Sequence, residues 1–124
     1  MAELQVELVA ADRRVWSGEA KIVLARTTDG ELGVMRGHVP LLGVLETETV
    51  TIRTPETETI SAAVHGGFLS VANDRVSILA EAAELAEEID VARAERALEQ
   101  AADTADAAAQ RRASARLRAA GRQL

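Results

Sequence analysis

Cysteine is absent from the 124 residues of this chain. That excludes disulfide staples, zinc–thiolate sites and thiol nucleophiles, and it is compatible with a reducing compartment. Aromatic residues are nearly absent too, with Trp16 and Phe68 the sole representatives. The core must therefore be aliphatic, and the stacking platforms used for single-stranded nucleic acid are missing. No apolar run approaches the roughly 18 residues needed to cross a bilayer. The opening residues carry acid where a secretory leader needs a basic start. The expectation is a soluble chain that reaches a membrane only through a partner.

Catalytic signatures are missing as well. The two histidines, His38 and His65, form neither a His-x-His nor a His-Glu-x-x-His spacing, so no metal centre is expected. There is no Gly-x-Ser-x-Gly elbow and no Walker-type phosphate loop. Gly66-Gly67 reads as a bulge or a close approach between strands rather than a phosphate cradle. Glu46, Glu48, Glu56 and Glu58 alternate with threonines, which reads as a solvated strand face. The chain is expected not to be an enzyme.

What is present changes character between Ala80 and Asp90. Before that break, apolar and polar residues alternate, and seven of the eight glycines lie there. Leu4, Val6 and Leu8 alternate with Gln5 and Glu7 in the pattern of a half-buried strand. Ala20, Ile22 and Leu24 repeat the pattern after a polar turn expected over Asp12 to Gly18. Val50 with Ile52, and Ile60 with Ala62 and Val64, follow. Leu69 and Val71 pair with Val76 and Ile78 across the turn formers Ala72-Asn73-Asp74-Arg75. Short strands about ten residues apart argue for a sandwich or barrel.

Beyond the break, alanine dominates. Asp90 is suited to cap a helix, while Arg93 takes the place where a capping box needs Glu or Gln. Val91, Ala94, Leu98 and Ala101 or Ala102 form one helical stripe, and Ala113, Leu117 and Ala120 another, with the break at Asp103-Thr104-Ala105-Asp106. Two helices of about fourteen residues, near 20 Å each, would fold back as a hairpin. Residues 86–124 hold 14 alanines but only five Leu, Ile or Val. Helix propensity is therefore high and docking energy low, which predicts an arm able to change what it packs against.

Charge is sorted along the same axis. Residues 1–80 carry a net −4, residues 81–106 a net −7, and residues 107–124 five arginines and no acid. An acidic chain with one short basic end is a poor nucleic-acid binder, and that end suits an acidic protein surface or the acidic segment beside it. The expected fold class is α+β: a sandwich over residues 1–84, then a helix-turn-helix arm over residues 85–124.

The segment Gly30-Glu31-Leu32-Gly33-Val34-Met35-Arg36-Gly37-His38-Val39-Pro40-Leu41-Leu42 resembles the signature of the epsilon subunit of F-type ATP synthases. So do Gly66-Gly67-Phe68-Leu69-Ser70-Val71, the run from Val76 to Glu84, and Ile89-Asp90-Val91-Ala92-Arg93-Ala94. Val9-Ala10-Ala11-Asp12-Arg13 with Val15-Trp16-Ser17-Gly18 looks most like actinobacterial members. The resemblance implies a ten-stranded sandwich bound to the gamma subunit and resting on the membrane-embedded ring of c subunits. It also implies a peripheral position on the cytoplasmic side of the cell membrane, in a proton-translocating synthase. The helical pair can lie on the sandwich or extend into the catalytic head of alpha and beta subunits and inhibit ATP hydrolysis.

Residue by residue, Glu31 matches the family position facing the c ring, with His38 expected in the same loop. Arg36 stands where the family often has proline, which leaves that turn freer. Arg111, Arg112, Arg116, Arg118 and Arg122 form the acid-seeking face toward the head. Glu84, Asp90, Arg93 and Ala94, with Arg112 and Arg116, match the regulatory ATP site of some bacterial members, although Gln100 stands where some of those carry arginine. No other cofactor is implied. Arg112 and Arg116 could instead pair with Glu95 and Glu99 across the hairpin. The competing reading is a free-standing nucleotide-sensing module with no rotary partner.

Overall fold

The computed structural model describes residues 3–122; Met1, Ala2, Gln123 and Leu124, the outer ends of the two expected segments, lie outside them. Ten strands come first: β1 (Leu4–Ala10), β2 (Arg13–Ala20), β3 (Ile22–Thr27), β4 (Gly30–Met35), β5 (Leu41–Leu45), β6 (Glu48–Arg53), β7 (Thr59–Val64), β8 (Gly67–Ala72), β9 (Arg75–Ala80) and β10 (Ala83–Leu85). A single 3-10 turn (Ala86–Glu88) leads to α1 (Val91–Asp103) and α2 (Ala107–Ala119). The sheet thus runs to Leu85, one residue past the expected end of the sandwich.

The strands hydrogen-bond in the order β10-β7-β6-β3-β5-β8-β9-β1-β2, with β4 on β3. A single pairing, Thr27 with Leu45, joins β3 to β5. The path therefore folds there into two layers around one aliphatic core, in which Leu4, Leu8, Val23, Ile52, Leu69 and Ile78 are fully buried. Each such side chain contributes roughly 1.5–3 kcal/mol by leaving water. Neither aromatic side chain is fully buried; Phe68 is 52% exposed.

Two expectations about strands are corrected. The polar turn is confined to Ala11 and Asp12, and residues Arg13–Ala20, including Gly18, form β2. This strand ends the sheet path, so its polar side chains face water and the apolar signal is thin. In β3 the buried residues are Val23, Ala25 and Thr27, while Leu24 is exposed. Lys21, between β2 and β3, interrupts the alternation, so Ala20 and Val23 face the core and the parity reverses.

The Asn73-Asp74 turn is as expected. Both residues have positive φ, 52° and 60°, as a two-residue hairpin turn requires. Gly67 is a close approach between strands: a Cβ there would stand 2.1 Å from the backbone oxygen of Leu79. The Gly66-Gly67 pair is therefore structural, as its reading anticipated.

The hairpin forms at the expected break. Asp90 caps α1 by accepting from the Arg93 amide at 3.1 Å, and Asp106 caps α2 by accepting from Ala109 at 3.0 Å. α2 lies between α1 and the sheet, packing on β6 and β7. Ala115 and Ala119 form a small cluster with Ala63 and Ile89, while Ala113 and Leu117 are buried as well. Leu117 is the one large side chain buried on α2, so this layer is held mostly by alanine methyls.

Candidate functional site

Where the sheet gives way to α1, the last strand, the first helix and the second helix meet around Glu84. Its Oε1 accepts from Arg116 Nε of α2 at 2.5 Å and lies 3.2 Å from His65 Nε2 at the β7–β8 junction. Burial pushes the Glu84 carboxyl up, but the hydrogen bonds from Arg116 and His65 outweigh that and hold it below the ordinary carboxylate range. Burial pushes the His65 imidazole below its ordinary value; the Glu84 hydrogen bond opposes this, and the charges of Arg116 and Arg112 add to it.

Glu84 and Arg116 border a cavity of about 290 Å³, lined also by Glu88, Asp90, Arg93, Ala94 and Ala97. Five of the six residues singled out for a nucleotide therefore come together. Arg112 does not line the cavity, although its charge reaches His65 from the same helix. Three carboxylates face two guanidiniums, and Arg116 is already engaged by Glu84. A polyphosphate would have to displace that carboxylate before it could gain Arg116.

Glu88 is the second anchor of this junction. Arg13 of β2 grips it with both guanidinium nitrogens, at 3.0 and 2.8 Å, and the Leu85 amide donates to the same carboxylate at 2.9 Å. The Arg13 fork holds the Glu88 carboxyl below its ordinary range, helped by that amide. Arg13 also donates to the Ala83 carbonyl at 3.3 Å, linking β2 and β10, the two ends of the sheet path. These partners are 70 and 75 residues apart in the chain, and no local pattern announces them.

The arginines of α2 do not pair with Glu95 or Glu99 among the described residues. Arg116 takes Glu84, and Arg118 reaches Glu48 of β6 at 3.1 and 3.3 Å. Glu48 is therefore no part of a solvated face, because its carboxylate is the sheet's side of that bridge. Arg111, Arg112 and Arg122 make no ion pair among the described residues and are exposed. A wider cavity of about 430 Å³ opens beside that bridge, lined by Arg111 and Arg118 together with Glu46 and Glu48.

Glu31 and His38 do not share a loop. Glu31 sits at the β3–β4 hairpin, its side chain 81% exposed and 3.2 Å from Arg26 across the pair. His38 follows the other end of β4, where its amide closes a turn onto Met35 O at 3.1 Å. Six residues of strand, about 20 Å, separate the two ends. Arg36 occupies the second position of that turn, the position that a proline's fixed angle suits.

An apolar row, unforeseen at the level of sequence, crosses the outer face of the sheet. Val44 of β5 is paired with Phe68 of β8, and Phe68 with Leu79 of β9. Leu42 lies two residues along from Val44, and all four are exposed. The signal was available in β5, which is apolar on both faces, as a strand covered on both sides would be.

The β-sandwich model of the ATP synthase Delta/Epsilon chain matches residues 3–86. Along the whole chain, the ATP synthase epsilon chain of Streptomyces griseus is 72% identical over 118 residues, covering 95% of each protein. That of Rhodococcus jostii is 56% identical over 110 residues, covering 88% of this chain and 90% of its own. Among solved structures, the fold is shared with a chain of the Euglena gracilis mitochondrial ATP synthase OSCP/F1/c-ring assembly. There the TM-score is 0.77 at 24% identity, over 94% of this chain and 76% of that one. A chain of the Tetrahymena thermophila mitochondrial central stalk and c-ring gives 0.58 at 16% identity, over 69% of each. With a family model spanning most of the residues and relatives of such identity along nearly the full length, the chain belongs to the epsilon-chain family of ATP synthase.

Proposed function

We propose that this epsilon chain couples rotation of the c ring to the catalytic head of a proton-translocating F-type synthase and restrains ATP hydrolysis through α1 and α2. The observation that carries the reading is how α2 is held. It docks through alanine methyls and one leucine, pinned by Glu84–Arg116 and Glu48–Arg118. Partly exposed ion pairs of that kind are worth about 1 kcal/mol or less each. A segment so held can leave the sheet without unfolding the aliphatic core, and Arg111, Arg112, Arg116, Arg118 and Arg122 then present five cations to an acidic surface of the head. Deleting residues 107–124 in the assembled enzyme tests this: hydrolysis should rise several-fold with assembly intact. Unchanged hydrolysis would leave the arm a purely structural element.

The gamma subunit is assigned to the row Leu42, Val44, Phe68 and Leu79, since such an apolar surface calls for a protein partner. The c ring is assigned to Glu31 at the β3–β4 hairpin. His38 joins that contact only if the ring runs along the length of β4. Membrane association on the cytoplasmic side then comes through the complex, because no helix among the described residues is long and apolar enough to cross.

ATP is assigned to the cavity at Glu84, Asp90, Arg93, Ala94 and Arg116, with Arg112 one turn away. Its excess of carboxylates predicts weak binding, in the millimolar range. Calorimetry on the isolated chain tests it, and neither heat nor an ATP-dependent shift in melting would remove the site.

A further inference from the structure

His65 is buried, its side chain 6% exposed, in a position that the proposed function does not use. Its backbone amide donates to Ala82 O at 2.9 Å, which fixes the residue against the chain entering β10. Nε2 faces a carboxylate, so the neutral ring must carry its proton there and donate it to Glu84. That leaves Nδ1 as a buried polar atom with no partner, the one such side-chain atom among the described residues.

We propose that His65 is a positioning residue of the hinge: its neutral ring holds Glu84 in place for Arg116, and its protonation releases α2 from the sheet. A second proton would sit on Nδ1, where no acceptor waits, and would set a full charge beside Arg116 and Arg112 of α2. Glu84 opposes this through its hydrogen bond and charge, but burial and the two arginines outweigh it. Glu84 of β10 already serves Arg116; the Glu81 carboxylate lies against Gly66; Glu48 of β6 is held by Arg118. Opening the α2 contact admits water to Nδ1 and removes both arginines. Glu84 then exchanges its bond to Arg116 for one to a charged imidazole.

The sign follows from where the proton is disfavoured. Burial, reinforced by Arg116 and Arg112, depresses the imidazole in the docked form, while in the released form it returns toward its ordinary 6.5. Docking is thus fully favoured above about pH 6.5. It weakens by up to tenfold per unit as pH falls below that value, until the docked form also protonates.

The inference rests on the reading of the arm as a lever, and the test separates the two. In this cysteine-free chain, Glu56→Cys and Ala108→Cys accept a donor and acceptor dye that report the distance from sheet to α2. Energy transfer should be high at pH 7.5, and the docked-to-released ratio should fall several-fold between pH 6.5 and 5.5. With His65→Gln it should stay flat over that window. Identical profiles for the two proteins, or a flat profile without the substitution, would overturn the role of His65. Should His65→Gln fail to fold, proton NMR of the full-length chain decides: the His65 ring should titrate below the ordinary 6.5 of an imidazole, and a midpoint at or above that value overturns the proposal. Arg116→Ala at pH 7.5 checks the lever itself. Lowered transfer there with a flat pH profile removes His65 alone, whereas no change in either removes the lever as well.

Discussion

Arg116 Nε, near the end of α2, donates to Glu84 Oε1 on the last strand at 2.5 Å, so the final helix is tied to the residues it must pivot on. One half-buried contact joins the sheet, the arm and the cavity between them. Arg116→Ala should weaken docking by about 0.5–1.5 kcal/mol, since both groups remain partly solvated. Amide hydrogen exchange in α2 should quicken by roughly threefold to tenfold, with the strands β1 and β9 unchanged.

The turn between the helices carries a removable strain. Asp106 N–H bonds to Ala101 O at 2.9 Å and Ala105 N–H to Ala102 O at 3.3 Å, a left-handed helix stop with Ala105 at φ 56°. The same pair of bonds ends α2, but there Gly121 takes the left-handed position. Ala105→Gly should therefore stabilise the hairpin by about 0.5–1 kcal/mol despite glycine's looser unfolded state. A lower melting temperature would mean that Ala105 is not strained.

Gly67→Ala should act in the opposite direction. The added methyl would collide with the β9 backbone, which cannot yield without breaking the β8–β9 ladder. A loss of about 3 kcal/mol or more is expected by denaturant titration. A loss under about 1 kcal/mol would mean that the two strands can separate cheaply.

Acid should loosen the hinge in a second, lower range. Glu84 and Glu88 are both held below their ordinary 4.5 by arginine partners. Their contribution is present above that value and is lost as pH falls through the depressed folded-state values. Glu88→Gln should flatten the fall in stability below about pH 4.5, and an unaltered acid limb would place the loss elsewhere.

Association with gamma should depend on the outer apolar row. Phe68→Glu leaves the core intact, because that side chain is already half exposed. It should weaken binding by 30-fold or more if Phe68 is a central anchor. Co-elution with gamma in size exclusion, unchanged by the substitution, would assign the row to another partner.

The parts of this architecture legible in advance were those specified by neighbours in the chain. Asp90 stands just before a run of helix formers, and Asn73-Asp74 sits between two alternating segments, so that cap and that turn declared themselves, whereas Asp106 showed only as part of the break between the helices. Strand β2 did not, because Arg13, Arg14, Ser17 and Gly18 lie at the end of the sheet, where polar side chains cost nothing. Leu24 misled because the break at Lys21 reverses which face is buried, an effect that periodicity cannot carry across an interruption. The resemblance points to Glu84, Asp90, Arg93 and Arg116, and these four do meet in space. Arg13–Glu88, Arg118–Glu48 and the burial of His65 are tertiary facts, set by which strand closes on which.

The central claim is that the arm restrains hydrolysis only when it leaves the sheet. Ala63 of β7 and Ala119 of α2 share one small buried cluster. Ala63→Cys with Ala119→Cys would lock the arm down when oxidised, in an enzyme assembled from otherwise cysteine-free subunits. ATP hydrolysis should stay at its uninhibited level while the disulfide is intact and fall several-fold on reduction. Equal rates in the oxidised and reduced enzyme would contradict the account.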